Sequence, residues 1–315
     1  MTPGYTQLST EQLQLRASRA VSLLAECTLC PRQCRVNRLE NQLGFCRTGR
    51  QAAVASAHLH FGEEAPLVGR QGSGTIFFAG CNLGCVFCQN FDISHDTSSG
   101  RKVRAEELAE IMLDLQGQGA QNINLVTPSH VVPQILEALA VAGPRGLHLP
   151  LVYNSSGYDR VQTLHLLEDI VDVYMPDSKF YDFGPAKTYC QAEDYPQRAR
   201  EAILEMHRQV GDLEMDQEGR AVRGLLVRHL LMPDDLAGSN NWFRFLAREV
   251  SPDTYINIMD QYRPCGQAED FPELCAPLSR QARDSAIAQA RAQGLTRLDP
   301  GPQIRIRDLL RFMQD

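Results

Sequence analysis

The chain has 315 residues, of which 43% are hydrophobic and 22% are charged, and its formal net charge is -7. This composition allows a large apolar core and excludes an intrinsically disordered chain. The acidic balance argues against a nucleic-acid-binding surface, which needs clustered Lys and Arg. The sequence begins without the basic start and apolar run of a signal peptide, and no long apolar stretch follows. We therefore expect a cytoplasmic protein without membrane contact.

The first part of the chain combines a predicted helix with a group of cysteines. Ser9 and Gln12 have the spacing of a capping box, and apolar residues then recur at helical spacing through Leu24. Four cysteines follow in a C-x2-C-x3-C-x11-C pattern: Cys27, Cys30, Cys34 and Cys46. Four thiolates close a metal site, so the group predicts structural zinc or a second [4Fe-4S] cluster, with a structural or electron-relay role. Four unrelated free thiols are the alternative.

From residue 75 onward, short apolar runs of β type alternate with helical segments. The predicted strands are TIFFA at 75–79, INLVT at 123–127, LPLVY at 149–153, VDVYM at 171–175, LLVRHLLM at 225–232 and TYINIM at 254–259. The predicted helices lie at 105–116, 131–141, 160–169, 198–210, 241–248 and 278–292. This alternation predicts a parallel sheet of βα units, either as an open barrel or as a doubly wound sheet. No Gly-x-Gly-x-x-Gly follows a strand, which disfavours a dinucleotide-binding fold.

A second cysteine group directly follows the first predicted strand, where α/β folds gather their catalytic residues. Cys81, Cys85 and Cys88 form a C-x3-C-x2-C loop. Iron-sulfur clusters are bound by thiolates, usually four, so three cysteines without a close fourth predict a [4Fe-4S] cluster with one open iron. Three structural thiols, or a zinc site completed by a distant His, are the alternatives.

The cysteine loop also carries a resemblance. CNLGCVFCQN resembles the C-x3-C-x-aromatic-C signature of the radical S-adenosylmethionine (SAM) superfamily, with Phe87 in the aromatic position. Eight segments resemble the branch related to pyruvate formate-lyase activating enzyme and called PflX: CTLCPRQC, HFGEEAPL, GSGTIFFAGC, NINLVTPSH, LVYNSSGY, VDVYMPDSKF, VRHLLMP and NIMDQY. The resemblance implies an α/β fold with a partial (β/α)6 radical SAM barrel and C-terminal helix at 71–315. An N-terminal helix and a cysteine-rich metal-binding extension would occupy 1–70.

In this superfamily, SAM chelates the open iron. One electron from the reduced cluster then cleaves SAM to a 5'-deoxyadenosyl radical, which abstracts a substrate hydrogen. Where related activases carry a Gly-Gly-Glu for the SAM amino group, this chain has residues 127–130, Thr-Pro-Ser-His. Asp177 and Lys179 resemble the Asp-x-Lys of the activases. The residues expected to bind SAM are Phe87, Ser129, His130, Asn154, Ser155, Asp177, Lys179 and Arg228. Each polar residue alone fits a solvated loop or an ion pair equally well.

The resemblance further implies an oxidoreductase that activates or modifies a protein, as a glycyl-radical activase does, with an electron donor such as flavodoxin or ferredoxin. A radical SAM enzyme acting on a small metabolite and a non-catalytic Fe-S electron-transfer protein are the alternatives. For several other residues, a structural role is simpler than a catalytic or ligand role. We expect local hydrogen bonds for His58, His60, Glu63 and Glu64, and ordinary reduced thiols for Cys190, Cys265 and Cys275.

Overall fold

The computed structural model describes residues 2–301. Its helices are α1 Thr10–Ser22, α2 Ala65–Val68, α3 Phe91–His95, α4 Ala105–Gly117, α5 Val132–Ala142, α6 Val161–Leu164, α7 Phe183–Cys190, α8 Tyr195–Val210, α9 Ser239–Phe245 and α10 Ala282–Gln293. Its strands are β1 Ala52–His60, β2 Ser73–Phe78, β3 Arg101–Val103, β4 Ile123–Val126, β5 Leu151–Ser155, β6 Val173–Pro176, β7 Glu214–Met215, β8 Ala221–Leu230 and β9 Tyr255–Met259. Within this part of the chain, every helix is too short or too polar to cross a membrane.

The strands form one mixed sheet. Six of them, β2, β4, β5, β6, β8 and β9, pair in parallel in the order in which they occur along the chain. They coincide with the six strands predicted from the sequence, which confirms an α/β fold with a large sheet. Strands β1 and β3 extend the sheet beside β2, and β7 forms an antiparallel pair with β8. The closure of the parallel strands into a partial barrel stays a prediction.

The two faces of the parallel strands have different roles. Leu151 and Tyr153 of β5 belong to the large core shared with the helices, whereas Val152 between them lies in a smaller apolar cluster. That cluster covers the opposite face of the sheet and contains Leu67, Val152, Val173, Met175, Leu213, Ala221, Leu226 and Tyr255. Because side chains alternate along a strand, the positions two residues further on share this second face. They are polar: Asn154, Asp177, Arg228 and Asn257. The second face is therefore apolar below and polar at the carboxyl ends.

The predicted domain boundary near residue 70 lies inside this sheet. Strand β1 comes before the boundary and β2 after it, and the two strands pair along most of their length. The division into 1–70 and 71–315 stays a prediction, and the end of the second range, 302–315, lies outside the described residues.

The short helices α2 and α3 were not predicted, and two further helical segments differ from the sequence prediction. The helix predicted at 160–169 is shorter, since α6 gives way to a 3-10 turn that ends at Leu167. Helix α7 was not predicted, because its sequence contains Gly184 and Pro185, which usually interrupt helices. Pro185 lies in the first turn of α7, where its missing N–H removes no intrahelical hydrogen bond. Helix α7 brings Cys190 to the cysteine loop that follows β2.

The capping box predicted for α1 is present. The Ser9 hydroxyl accepts a hydrogen bond from the Gln12 N–H, and the Gln12 side chain accepts one from the Ser9 N–H. We expect Ser9→Ala to lower the free energy of unfolding by about 1 kcal/mol, because one N–H of the first turn loses its acceptor. Ser18→Ala, at an exposed position within the same helix, is the control and should not lower stability. Urea denaturation measures both, and equal effects would contradict the assignment of the cap.

Candidate functional site

The three cysteines after β2 line a cavity of ≈ 370 Å³. The cavity lies at the carboxyl ends of the parallel strands, whose contributions to its wall include Phe77, Val126, Asn154, Asp177, Arg228 and Met259. Cys85 is buried, whereas Cys81 and Cys88 are half-buried. The cysteine loop therefore faces the polar side chains at the ends of the other strands across one cavity.

Two glycines allow the cysteine loop to lie close to the N-terminal segment. Gly80 and Gly84 have φ of +82° and +67°, which side chains disfavour. A Cβ on Gly80 would lie 2.6 Å from the carbonyl oxygen of Cys46, and one on Gly84 would lie 2.8 Å from the ring of Phe45. The path of the loop thus depends on both glycines, and it places the loop directly against the segment that carries the other cysteine group.

Each sulfur of the loop has a hydrogen-bonding neighbour. The Leu83 N–H donates to Cys81 Sγ at 3.3 Å, and the Ser94 hydroxyl donates to Cys88 Sγ at 3.3 Å. Cys190 Sγ lies 3.4 Å from Cys85 Sγ. Burial, together with the neighbouring Cys85, raises the pKa of Cys81 to about 12.

The pKa values of the other two thiols are raised as well. The hydrogen bond to Cys190 and burial raise the pKa of Cys85, and burial and Cys85 raise that of Cys88. Three neighbouring buried thiolates are unfavourable without positive charge, and bound iron would supply it. This donor set fits an iron-sulfur cluster. Within residues 2–301, no three or more Cys, His, Asp or Glu side chains form a group arranged to hold a metal ion.

A network of half-buried charges forms the wall opposite the cysteines. Asp177 accepts hydrogen bonds from Lys179 Nζ at 2.8 Å and from Arg228 Nε at 2.8 Å. A second guanidinium nitrogen of Arg228 donates to Asn154 Oδ1 at 2.7 Å. Burial acts to raise the pKa of Asp177, but Arg228 and Lys179 outweigh it and lower that pKa. Asp177 thus pairs with both cations.

Two further carboxylates lie at the edge of the cavity, although the sequence favoured simple loop roles for them. Glu63 lines this cavity and a neighbouring one of ≈ 520 Å³. Glu64 is buried, accepts a hydrogen bond from Asn257 Nδ2 at 2.9 Å and lies 3.9 Å from Arg228 Nε. Burial, together with Glu64, raises the pKa of Glu63 to about 7. No sequence spacing connects these residues with β9, so the sequence carries no signal of their place beside the cavity.

The structure brings most of the predicted SAM-binding residues to the cavity. Its wall includes Phe87, Asn154, Ser155, Asp177, Lys179 and Arg228. The Phe87 ring packs edge-to-face against Phe180, with 5.6 Å between ring centroids. Ser156 also lines the wall, and its buried hydroxyl has no hydrogen-bond partner among the described residues.

Ser129 and His130 do not line this cavity; Thr127 does. The His130 imidazole approaches the carbonyl oxygen of Ala79, at 3.1 Å, and lines the small cavity of the N-terminal cysteines. Burial, together with Arg38, lowers the pKa of His130 to about 3, so its ring is neutral. The sequence could not reveal this placement, because it depends on the direction in which the backbone turns after the end of β4.

The four N-terminal cysteines surround one small cavity, of ≈ 10 Å³: Cys27, Cys30, Cys34 and Cys46. The Phe45 N–H donates to Cys34 Sγ at 3.4 Å, and the buried Arg38 donates to Cys27 Sγ at 3.7 Å. Burial raises the pKa of Cys30 and of Cys46. As in the cysteine loop, these buried sulfurs fit a cationic metal centre.

Arg32 joins the two cysteine groups. It lies within the N-terminal cysteine segment, and its guanidinium donates to the carbonyl oxygens of Asn82 at 3.0 Å, Leu83 at 3.0 Å and Cys190 at 2.8 Å. The guanidinium carbon also lies 3.8 Å from the centroid of the Phe45 ring. One side chain thus binds the cysteine loop and the end of α7 to the N-terminal segment.

We expect Asp177→Ala to lower the free energy of unfolding by about 1–3 kcal/mol, because Lys179 and Arg228, which are 15% and 19% exposed, would be left without their shared carboxylate. Urea denaturation measures the loss. The matched control is Glu110→Ala, which breaks an exposed ion pair with Arg145 and should change stability little. Equal small losses for the two variants would contradict the half-buried network.

The chain was also compared with known proteins. No family model matches it. In solved structures, it resembles a radical SAM methyltransferase from Sphaerobacter thermophilus with a TM-score of 0.48 and 15% identity, over 74% of this chain and 68% of that chain. The uncharacterized protein MJ0674 of Methanocaldococcus jannaschii is 31% identical over 290 residues, which are 90% of this chain and 79% of that protein. Given this identity and coverage, the chain belongs to the family of MJ0674.

Proposed function

We propose that this protein is a radical SAM enzyme whose [4Fe-4S] cluster is held by Cys81, Cys85 and Cys88. The observation that carries the proposal is the shared cavity, in which three thiols of one loop face a charged wall at the carboxyl ends of parallel strands. Three thiolates leave one iron of such a cluster open. When bound, the cluster would supply the electron that cleaves SAM to methionine and a 5'-deoxyadenosyl radical.

The protein residues have the task of binding and orienting SAM. SAM carries a carboxylate and an ammonium group at its methionine end. Lys179 offers positive charge to the carboxylate, since it shares its partner Asp177 with Arg228. Arg228 itself has two carboxylates beside it, those of Asp177 and Glu64. The side chain of Thr127 offers a hydrogen bond at the point after β4 where related activases carry Gly-Gly-Glu, and Ser156, after β5, lines the same cavity. Phe87, Asn154 and Ser155 complete the proposed SAM site.

The substrate would occupy the neighbouring cavity of ≈ 520 Å³, which shares Glu63, Arg228 and Met259 with the cluster cavity. A protein substrate, as for a glycyl-radical activase, remains our first proposal for its class, and a small metabolite is the second. The size of this cavity favours an enzyme with a small substrate over a purely electron-transferring protein. Deuterium transfer from a labelled candidate substrate into 5'-deoxyadenosine distinguishes the classes.

The N-terminal cysteines would hold zinc or a second [4Fe-4S] cluster. Four thiolates leave no coordination position for SAM on the bound metal, so a structural or electron-relay role fits this site. Cys46 and Cys81 line one further cavity, of ≈ 340 Å³, which places the two cysteine groups side by side. This proximity supports a relay from a donor such as flavodoxin or ferredoxin. The cytoplasmic location also stays a prediction.

The central test uses protein reconstituted with iron and sulfide without oxygen. We expect changing Cys81, Cys85 and Cys88 to Ala to remove about four irons per chain and to abolish the formation of 5'-deoxyadenosine from SAM after reduction. Cys275→Ala, which changes an exposed thiol, should alter neither quantity. A triple variant that keeps the same iron and still cleaves SAM would overturn the assignment. An intact, reduced wild-type cluster without any 5'-deoxyadenosine would favour the electron-transfer alternative.

The N-terminal site has its own test. We expect Cys30→Ser to release the metal of that site and to lower the melting temperature, because binding at a structural site contributes directly to folding. Metal analysis of protein purified without oxygen identifies zinc or iron, and calorimetry measures the melting temperature. Cys275→Ser is the control. Unchanged metal content and melting temperature in Cys30→Ser would mean that these four residues are free thiols.

A further inference from the structure

Cys190 lies beside the cysteine loop without belonging to either cysteine group. It is the last residue of α7, it is fully buried, and its sulfur lies 3.4 Å from Cys85 Sγ. The two residues are 105 positions apart in sequence, so no motif connects them. The sequence favoured an ordinary reduced thiol at this position, whereas the structure places the thiol against a proposed ligand of the cluster.

The position of Cys190 is fixed by contacts that do not involve its own thiol. The Val86 N–H donates to the carbonyl oxygen of Tyr189 at 2.9 Å, which joins the cysteine loop to the last turn of α7. Arg32 donates to the carbonyl oxygen of Cys190 at 2.8 Å. The backbone that carries Cys190 is therefore bound to the loop that carries Cys85 on one side and to the N-terminal segment on the other.

Resting on the proposed function, we propose that Cys190 is a positioning residue that donates an S–H···S hydrogen bond to the iron-bound Cys85 and raises the reduction potential of the cluster. A thiolate bound to iron has no proton, so within this pair only Cys190 can be the donor. Reduction places one more negative charge on the cluster and its sulfurs. A donor at Cys85 stabilises this reduced state more than the oxidised state.

The surroundings strengthen this effect. Cys190 and Cys85 are 0% and 8% exposed, so water provides little competing solvation. The sulfurs of Cys81 and Cys88 accept from a backbone N–H and from a serine hydroxyl, and Cys190 supplies the corresponding donor to the third sulfur. Removal of the thiol would leave Cys85 as the one loop sulfur without such a donor among the described residues.

The test compares reconstituted wild-type protein with Cys190→Ala and Cys190→Ser in a redox titration followed by electron paramagnetic resonance. The signal that changes on addition of SAM identifies this cluster. At equal ambient potential, we expect Cys190→Ala to lower the ratio of reduced to oxidised cluster about tenfold, a shift of about 59 mV for one electron. Cys190→Ser keeps an O–H donor and should restore most of the ratio. Cys275→Ala, which changes a thiol at the surface, should match wild type.

The outcomes separate this inference from the proposed function. A Cys190→Ala cluster with the wild-type potential and full iron content would overturn the hydrogen-bond role and leave the proposed function standing. Loss of the cluster in both Cys190→Ala and Cys190→Ser would identify Cys190 as a fourth ligand and overturn the donor role. Wild-type protein without a SAM-responsive cluster would instead remove the proposed function itself.

Discussion

The arrangement of the cysteines depends on the Arg32 guanidinium, which binds three segments that are far apart in sequence. Carbonyl groups of the cysteine loop and of α7 accept its hydrogen bonds, and its flat face rests on Phe45. Arginine suits this role because its donors form a rigid fork that stays charged at any physiological pH. Lysine would offer one ammonium group and could not reach the same carbonyls in a fixed geometry.

The parallel strands impose the second constraint. Val152 and Asn154 share one face of β5, as do Leu226 and Arg228 on β8, because side chains repeat with a period of two. The apolar residues cover the lower part of that face, and the polar residues two positions further on form one wall of the cavity. The change from apolar to polar residues at the strand ends thus creates a binding site without any interruption of the sheet.

The sequence was informative wherever the signal is local. Short apolar runs located all six parallel strands, the Ser9 capping box located α1, and the spacing of Cys81, Cys85 and Cys88 located the loop. It failed where a role depends on packing between distant segments. Glu64 reaches Asn257 across 193 positions, and no local pattern encodes such a pair. Ser129 and His130 follow β4, where SAM-binding residues were expected. The turn after β4 instead directs His130 to the cavity of the N-terminal cysteines.

Buried thiols connect these features energetically. In both cysteine groups burial raises the pKa of thiols, so without bound cations the folded chain would pay a penalty to ionise them. Metal binding removes this penalty, and its free energy therefore adds to the stability of the fold. Because Arg32 and the close packing at Gly80 join the two groups, ordering of the N-terminal segment by a metal would also restrict the cysteine loop. A metal at the N-terminal cysteines, whether zinc or iron, would thus support the proposed cluster site mechanically.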